Sequence, residues 1–461
     1  MSIETFNNQQ DNFNSEQSQT SQFARAFSFK RLIKFVLPSV IMMVFTSIYG
    51  VIDGIFVSNF AGESAFAAVN LIMPVLMAFA TLGFMIGAGG AALVSKILGE
   101  GNKRRACGIF SFLIYVTIIL GLTVTAIGII FMPDLARLMK ADGDTLDKCV
   151  LYGRINMGGI TLFMLQNVFQ SFFPAAEKPK LGLAFIVSAG VTNAVLDAVF
   201  LAWFKWGIAG AAAATVTGQA VGGLAPVFYF IFSRKGVLCL GKPTIDFKAL
   251  GKTCLNGSSE LMTNLSLSLV NILYNYQLMR IVSESGVAAY GVLMYVNFIF
   301  VSAFLGYAVG VSPIIGFNLG AGNKSELKNV FKKSIIIIAV TSLAMFALAM
   351  ALSYPMPYIF VGYNEELLAL TRRGFMICST MFLVLGFNIF GSAFFTALNN
   401  GLISAILSFM RTLALQIVCI LTLPMLWGVD GVWAANVFAE LCAVFVTFTF
   451  IFCFRKKYGY L

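Results

Sequence analysis

The chain has no histidine, little charge and no paired-cysteine motif. Without histidine the usual proton carrier near neutral pH is gone, and proton handling falls to carboxylates. The eight cysteines are scattered with no CxxC pair, which indicates neither a zinc site nor a disulfide scaffold. No GxxxxGK[ST] loop, nucleophile elbow or metal-ligand spacing occurs, so ATP does not drive this protein directly and no enzymatic chemistry or cofactor is expected. Only 11% of residues are charged and 59% are hydrophobic, whereas an ordinary soluble domain is about 25% charged. Apolar stretches of roughly 20 residues, each long enough to cross a bilayer as a helix, recur along nearly the whole length. The composition therefore predicts an all-α, multi-pass membrane protein.

Twelve spans are predicted, at 31–58, 65–92, 106–131, 149–173, 180–203, 206–232, 249–281, 287–316, 328–353, 368–396, 402–425 and 429–454. Residues 1–24 are rich in Gln, Asn and Ser and carry no Lys or Arg. They read as a disordered cytoplasmic tail rather than a signal peptide. With the N-terminus inside, 22 Lys and Arg fall in inner segments, 8 in outer segments, and Arg411 lies within a span. This bias predicts both termini in the cytoplasm, at the inner (plasma) membrane. It also accounts for the net charge of +11 without a nucleic-acid partner.

The halves resemble each other at an offset of 221. LGEGNK (98–103) returns as LGAGNK (319–324), ESAFAA (63–68) as ESGVAA (284–289), and WGIAGAAAAT (206–215) as WGVDGVWAAN (427–436). Six spans per copy is an even number, so both copies enter the membrane with one orientation. The fold expected is two six-helix lobes related by a pseudo-two-fold axis along the membrane normal. The N-lobe is 25–235, a cytoplasmic linker 236–248, and the C-lobe 249–461. Such duplication is common among transporters, with the site between or within lobes. The small-residue run GAGGAA (87–92) reads as close helix packing; GAAAAT (210–215) packs closely too and brings backbone near the acids at 53 and 197.

Four of the 20 acidic residues lie well inside spans: Asp53, Asp197, Glu260 and Glu440. An intramembrane acid costs roughly 2.5–3.5 kcal/mol on insertion scales and is a functional candidate by default. Asp53 on span 1 and Asp197 on span 5 both fall in the outer halves of their helices. The duplication breaks at both, because Asp53 aligns with Tyr274 and Asp197 with Val418. Asn193 is one helical turn from Asp197 and either joins it or bonds a neighbouring helix. Thr215 on span 6 adds a hydroxyl. These oxygens suit a bare monovalent cation such as Na⁺, or a proton on a carboxyl whose ionisation is disfavoured by burial and a like charge. Glu440 either serves a cavity or pairs with Arg411. Glu260, a third of the way along span 7, and Gln219 on span 6 are further candidate cavity residues. Pro38 and Pro313 are expected to kink spans 1 and 8. Some of the 46 Phe and 20 Met should line a cavity suited to varied apolar ligands.

The stretches LPSVIMMVFTSIYGVIDGIFVSNFAG (37–62), LGEGNKRRA (98–106), AAEKPKLG (175–182) and TNAVLDAVFLAWFKWGIAGAAAATVTGQ (192–219), with the two six-span halves, resemble the multidrug and toxic compound extrusion (MATE) transporters. The last stretch is most similar to their DinF-like prokaryotic branch. The resemblance implies export of cationic or amphipathic organic compounds in exchange for Na⁺ or H⁺. It implies a coupling site at Asp53, Asn193, Asp197 and Thr215, with the Ala211 carbonyl, and a hinge at Pro38. Two departures stand out: Glu260 sits nearer the start of span 7 than the functional Glu of other branches, and 175–182 lacks an Arg often found there.

The function expected is a secondary active multidrug efflux antiporter, monomeric in the lipid bilayer, working by alternating access. The alternative is a lipid-linked precursor flippase of the same two-lobe plan, which predicts a cavity lined by Arg and Lys. A passive channel would show flux insensitive to ion gradients.

Overall fold

The computed structural model describes residues 21–139, 141–233 and 236–461. The first half contains α1 (Phe29–Phe56), α2 (Glu63–Gly99), α3 (Lys103–Leu138), α4 (Gly143–Ala175), α5 (Pro179–Asp197) and α6 (Gly207–Phe232). The second contains α7 (Phe247–Ile281), α8 (Glu284–Gly320), α9 (Lys324–Leu352), a short α10 (Pro355–Val361), α11 (Glu365–Ser379), α12 (Phe382–Ala397), α13 (Gly401–Phe409), α14 (Leu415–Trp427) and α15 (Val429–Tyr458). No strand occurs among the described residues. Each of the twelve predicted stretches falls on one helix or on a pair joined end to end. Nine helical segments are long and apolar enough to cross a membrane, and the pair α11–α12 makes ten. The other two, α4 and α7, are as long but more polar: α4 opens on Asp144, Asp147 and Lys148, and α7 is rich in Asn and Ser.

The two prolines expected to kink spans do not interrupt them. Pro38 and Pro313 both lie inside continuous helices. The predicted tenth span instead bends by 50° between α11 and α12. There Ser379 Oγ donates to the Phe375 carbonyl and Thr380 Oγ1 to the Ile377 carbonyl, back-bonding that loosens a helix. Three π-helical turns also occur among the described residues, at Val57–Ala61, Ala198–Trp203 and Met410–Ala414.

The LGxGNK motif resolves into a turn and a cap. Gly101 and Gly322 adopt positive φ, +82° and +67°, where a side chain would be strained. Asn102 and Asn323 then accept the backbone N–H of Arg105 and Glu326 at the heads of α3 and α9, as N-cap residues do.

Close packing joins the lobes at the end of the bundle that carries the termini. A Cβ at Gly99 would lie 2.0 Å from the Phe317 carbonyl, and one at Gly320 would lie 1.9 Å from the Lys96 carbonyl. Residues 96 and 99 become 317 and 320 on adding 221, so each copy presents the same patch to the other. This reciprocity is the signature of a two-fold relation. Gly89 of the GAGGAA run, with Gly257, brings α2 equally close to α7. One hydrophobic core is shared by both lobes at this end, running from Phe35, Ile97 and Phe169 to Ile314, Phe331 and Phe394. Farther along, each lobe has its own core, around Val57, Ile72 and Tyr152 in one and around Phe300, Ile420 and Trp433 in the other.

Residues 1–20 of the predicted tail lie outside those described, but 21–24 depart from the expectation of disorder. Gln22–Ala24 form a 3₁₀ turn. Phe23 is fully buried on the lobe seam, edge-on to Phe35 of α1 at 5.4 Å and to Phe317 of α8 at 5.6 Å. Average polarity hid this anchor. The Gln22 N–H donates to Glu177 Oε2 of the N-lobe (3.0 Å), and the Phe27 N–H donates to Glu326 Oε1 of the C-lobe (2.8 Å). The segment thus straps the two lobes together. The linker after α6 also docks, with Thr244 N–H donating to the Gly108 carbonyl at 3.0 Å and Leu238 buried. At its end, Asp246 accepts the Ala249 N–H and lies beside Arg105, and these hold its carboxyl below the usual carboxylate range. Its contribution is present at neutral pH and is lost as pH falls through that lowered value.

Burial of a phenyl side chain is worth about 1.5–3 kcal/mol, and 1.4 kcal/mol is about tenfold in an equilibrium. Phe23→Ala should therefore speed tryptic cleavage after the exposed Arg25 by about tenfold or more, because local proteolysis follows local opening. Unchanged cleavage would show that the strap does not depend on this anchor.

Candidate functional site

Three helices of the N-lobe bring the predicted cluster together. Asp53 stands on the last full turn of α1, Asn193 and Asp197 on the end of α5, and Thr215 on α6. Asp53 is 8% exposed, Asn193 4% and Asp197 0%. The close approach of α5 and α6 follows from Gly218, where a Cβ would lie 2.9 Å from both the Ala189 carbonyl and Asn193 Cβ. The carboxyl of Asp53 faces Asp197, Asn193 and Thr215. Thr215 gives its hydroxyl proton to the Ala211 carbonyl at 3.0 Å, which leaves the threonine oxygen an acceptor. Both aspartates also lie beside a π-helical turn: Asp197 ends its α-helix where one begins, and Val57 starts the other one turn beyond Asp53. Such turns often accompany functional sites.

The polar atoms here are only partly satisfied. Asp53 Oδ1, both carboxyl oxygens of Asp197 and Asn193 Nδ2 are buried with no hydrogen-bond partner. Buried polar groups normally have partners, so these atoms are open to water, a proton or a small ligand. The free atoms are mostly oxygens: two carboxylates and a hydroxyl, with an amide oxygen and a backbone carbonyl alongside. Hard donors of that kind suit alkali or alkaline-earth cations and protons, not soft metals.

One member was not legible in advance. Tyr152 of α4 is fully buried, its hydroxyl is unpartnered, and it faces Asp53, Thr215 and Asp197. Nothing in the sequence separates it from the other tyrosines, because α4 reaches the site only through tertiary packing. Behind it, Tyr49 neighbours Gln166, whose two side-chain polar atoms are also buried without partners.

The other candidates lie elsewhere. Glu440 pairs with Arg411 at 3.4 Å, and Glu260 of α7 faces Arg411. Gln219 Oε1 is buried on α6 without a partner. Pro38 is buried near the lobe seam, where Ser39 and Val40 meet Gly306 of α8.

The C-lobe position matching the aspartate cluster is neutral and closed on itself. Tyr274, the counterpart of Asp53, donates to Gln416 Oε1 at 3.1 Å. Gln416 in turn donates to Oδ1 of Asn436, the counterpart of Thr215, at 2.7 Å. Beside this chain lies an aromatic cavity lined by Tyr274, Tyr290, Met294, Phe382, Trp433 and Asn436.

The MatE family model matches the chain twice, at residues 38–199 and 261–422, one match in each half. Multidrug export protein MepA of Staphylococcus haemolyticus (strain JCSC1435) is 24% identical over 449 residues, covering 94% of this chain and 96% of that protein. MepA of Staphylococcus saprophyticus is 23% identical over 439 residues, covering 92% and 93%. Among solved structures, MATE in complex with MaL6 superposes with a TM-score of 0.87 at 24% identity, over 93% of this chain and 96% of that one. An outward-facing multidrug resistance MATE family transporter does so with a TM-score of 0.87 at 23% identity, over 92% and 95%. The family model covers most of the chain in two copies and the relatives match nearly end to end, so the chain belongs to the MATE family of transporters.

Proposed function

We propose that this MATE-family chain is a secondary antiporter that expels cationic or amphipathic organic compounds in exchange for Na⁺ or H⁺. The observation that carries this reading is the pair of buried, unpartnered carboxyls of Asp53 and Asp197 in one lobe. Two carboxylates in hydrocarbon repel each other and lack water, so a small cation between them, or a proton on one, removes a large penalty. Asn193, Thr215, Tyr152 and the Ala211 carbonyl complete the shell as neutral donors and acceptors. Asp53 and Asp197 lie on separate helices, so filling the site draws α1 and α5 together and leaving it empty drives them apart. That is how ion occupancy alters the shape of the N-lobe.

Antiport further requires ion and substrate to bind the two lobe arrangements with different affinity. In the arrangement described, the lobes share a core at the end holding the termini and have separate cores beyond it. The excess of Lys and Arg at that end supports a cytoplasmic assignment for it. The aspartates then lie toward the outer side, where a cation entering down its gradient would meet them first. The aromatic cavity of the C-lobe, with Met294 and Met381 in its wall, suits apolar ligands of varied shape. The flippase alternative is less well supported, since Arg411, the basic residue inside a span, is engaged by Glu440.

The test is dye efflux from proteoliposomes under an imposed Na⁺ gradient or an imposed pH gradient, each alone. Asp53→Asn and Asp197→Asn should insert and fold normally but abolish gradient-driven efflux, because an amide has no charge for the ion or proton to offset. Full transport by both variants would refute the assignment. An unpaired buried polar group costs about 1–3 kcal/mol, and more when charged. In sodium-free alkaline buffer Asp197→Asn should therefore melt at a higher temperature than the parent chain; a lower melting point would mean the carboxylate stabilises the fold.

A further inference from the structure

The coupling reading leaves a second buried charge cluster unused. Arg411 lies in the π-helical turn between α13 and α14, and Glu440 is on α15. Their side chains are 11% and 5% exposed, and Arg411 Nη1 stands 3.4 Å from Glu440 Oε1. The other oxygen, Glu440 Oε2, accepts from Asn388 Nδ2 at 2.6 Å, and Asn388 Oδ1 accepts from Thr447 Oγ1 at 3.0 Å. Glu260 approaches Arg411 from α7 and makes no side-chain hydrogen bond among the described residues. Arg411 Nε is itself buried without a partner. Tyr274 completes the titratable groups around Glu440. At the offset of 221, Asn388 corresponds to Asn167 and Glu440 to the neutral Gln219. The duplication thus supplied the same polar framework twice, and only the C-lobe copy carries an acid at this place.

We infer that Arg411 is a tethered counter-cation that occupies the charge site of the C-lobe, so that the exchangeable ion is confined to the N-lobe. An isolated carboxylate in the membrane interior must be neutralised by something. Among the described residues of the N-lobe, no basic side chain reaches Asp53 or Asp197. In the C-lobe a guanidinium, which stays protonated at any working pH, is bonded into the chain and does not exchange with solution. Arg411 is then a specificity-determining residue: it sets how many small cations one transport cycle takes up. The contrast between lobes rests on the N-lobe coupling reading; the C-lobe claim does not.

The experiment uses full-length protein with the N-lobe acids and Glu260 neutralised, Asp53→Asn with Asp197→Asn and Glu260→Gln, so that Glu440 is the one acid left facing Arg411, and measures ²²Na⁺ retention and proton uptake on purified material. In this background little cation should bind. Adding Arg411→Gln exposes Glu440, and cation uptake should rise by about tenfold or more, the factor that corresponds to 1.4 kcal/mol. Adding Glu440→Gln as well should abolish the gain, and Arg411→Lys should bind no more than the background. The inference is overturned if Arg411→Gln brings no uptake in folded, monodisperse protein. It is equally overturned if the background already binds a cation that Glu440→Gln removes. If Arg411→Gln does not fold, Arg411→Gln with Glu440→Gln decides: on this inference the neutral pair folds and binds nothing, and its failure to fold would show that Arg411 has another structural role. Failure of the N-lobe reading is seen separately, as unchanged efflux in Asp53→Asn alone.

Discussion

Uncompensated charge in hydrocarbon is the constraint on which this molecule turns. A helix buries its own backbone polar groups, so twelve apolar stretches can pack with little difficulty. A carboxylate cannot be hidden that way. The chain deals with the problem differently in its two lobes. In one, Asp53 and Asp197 face each other among Asn193, Thr215 and Tyr152 with oxygens to spare. In the other, Glu440 is met by Arg411 and Asn388. Each of the three π-helical turns among the described residues adjoins one of these charges. An extra residue in a helical turn rotates the remainder of the helix and frees a carbonyl, which gives the local adjustment a charged side chain needs to find its partner.

Duplication explains both the symmetry and its failure. The seam must be symmetric, because Gly99 and Gly320 each rest on the other copy's carbonyl, and a side chain on either would separate the lobes. The interiors are under no such demand. Once two lobes exist, one can keep two buried acids while the other closes its equivalent position with Tyr274, Gln416 and Asn436. The cavity beside that neutral chain is walled by aromatic rings and methionine.

The arrangement of cores says where motion is cheapest. A core common to both lobes, the glycine contacts and the strap from Ser21 to Phe27 all lie at one end. Any separation of the lobes at this end would have to open those contacts, including hydrogen bonds to Glu177 of one lobe and Glu326 of the other. The acid cluster lies away from that seam, within a lobe rather than between lobes. One helix, α1, joins the two places, since it carries Asp53 near one end and the seam residues Val36 and Val40 near the other.

Much of this was legible from residue order. Apolar length predicted the spans, the 221-residue repeat predicted two lobes, and intramembrane Asp53, Asn193, Asp197 and Thr215 stood out because polar groups are rare in such stretches. The pairing of Glu440 with Arg411 was legible as one of two alternatives. Other features belong to tertiary structure alone. Tyr152 joins the cluster because α4 packs along α6, which carries Thr215, and one tyrosine looks like another until that packing exists. The bend between α11 and α12 arises at serine and threonine rather than at Pro38 or Pro313, since a proline's lost hydrogen bond can be absorbed in a continuous helix packed on its neighbours. Phe23 was hidden in a polar tail because a single ring needs only one pocket, and that pocket is formed by two helices from opposite halves of the chain. Residue order decides which groups cannot tolerate lipid; the fold decides which of them meet.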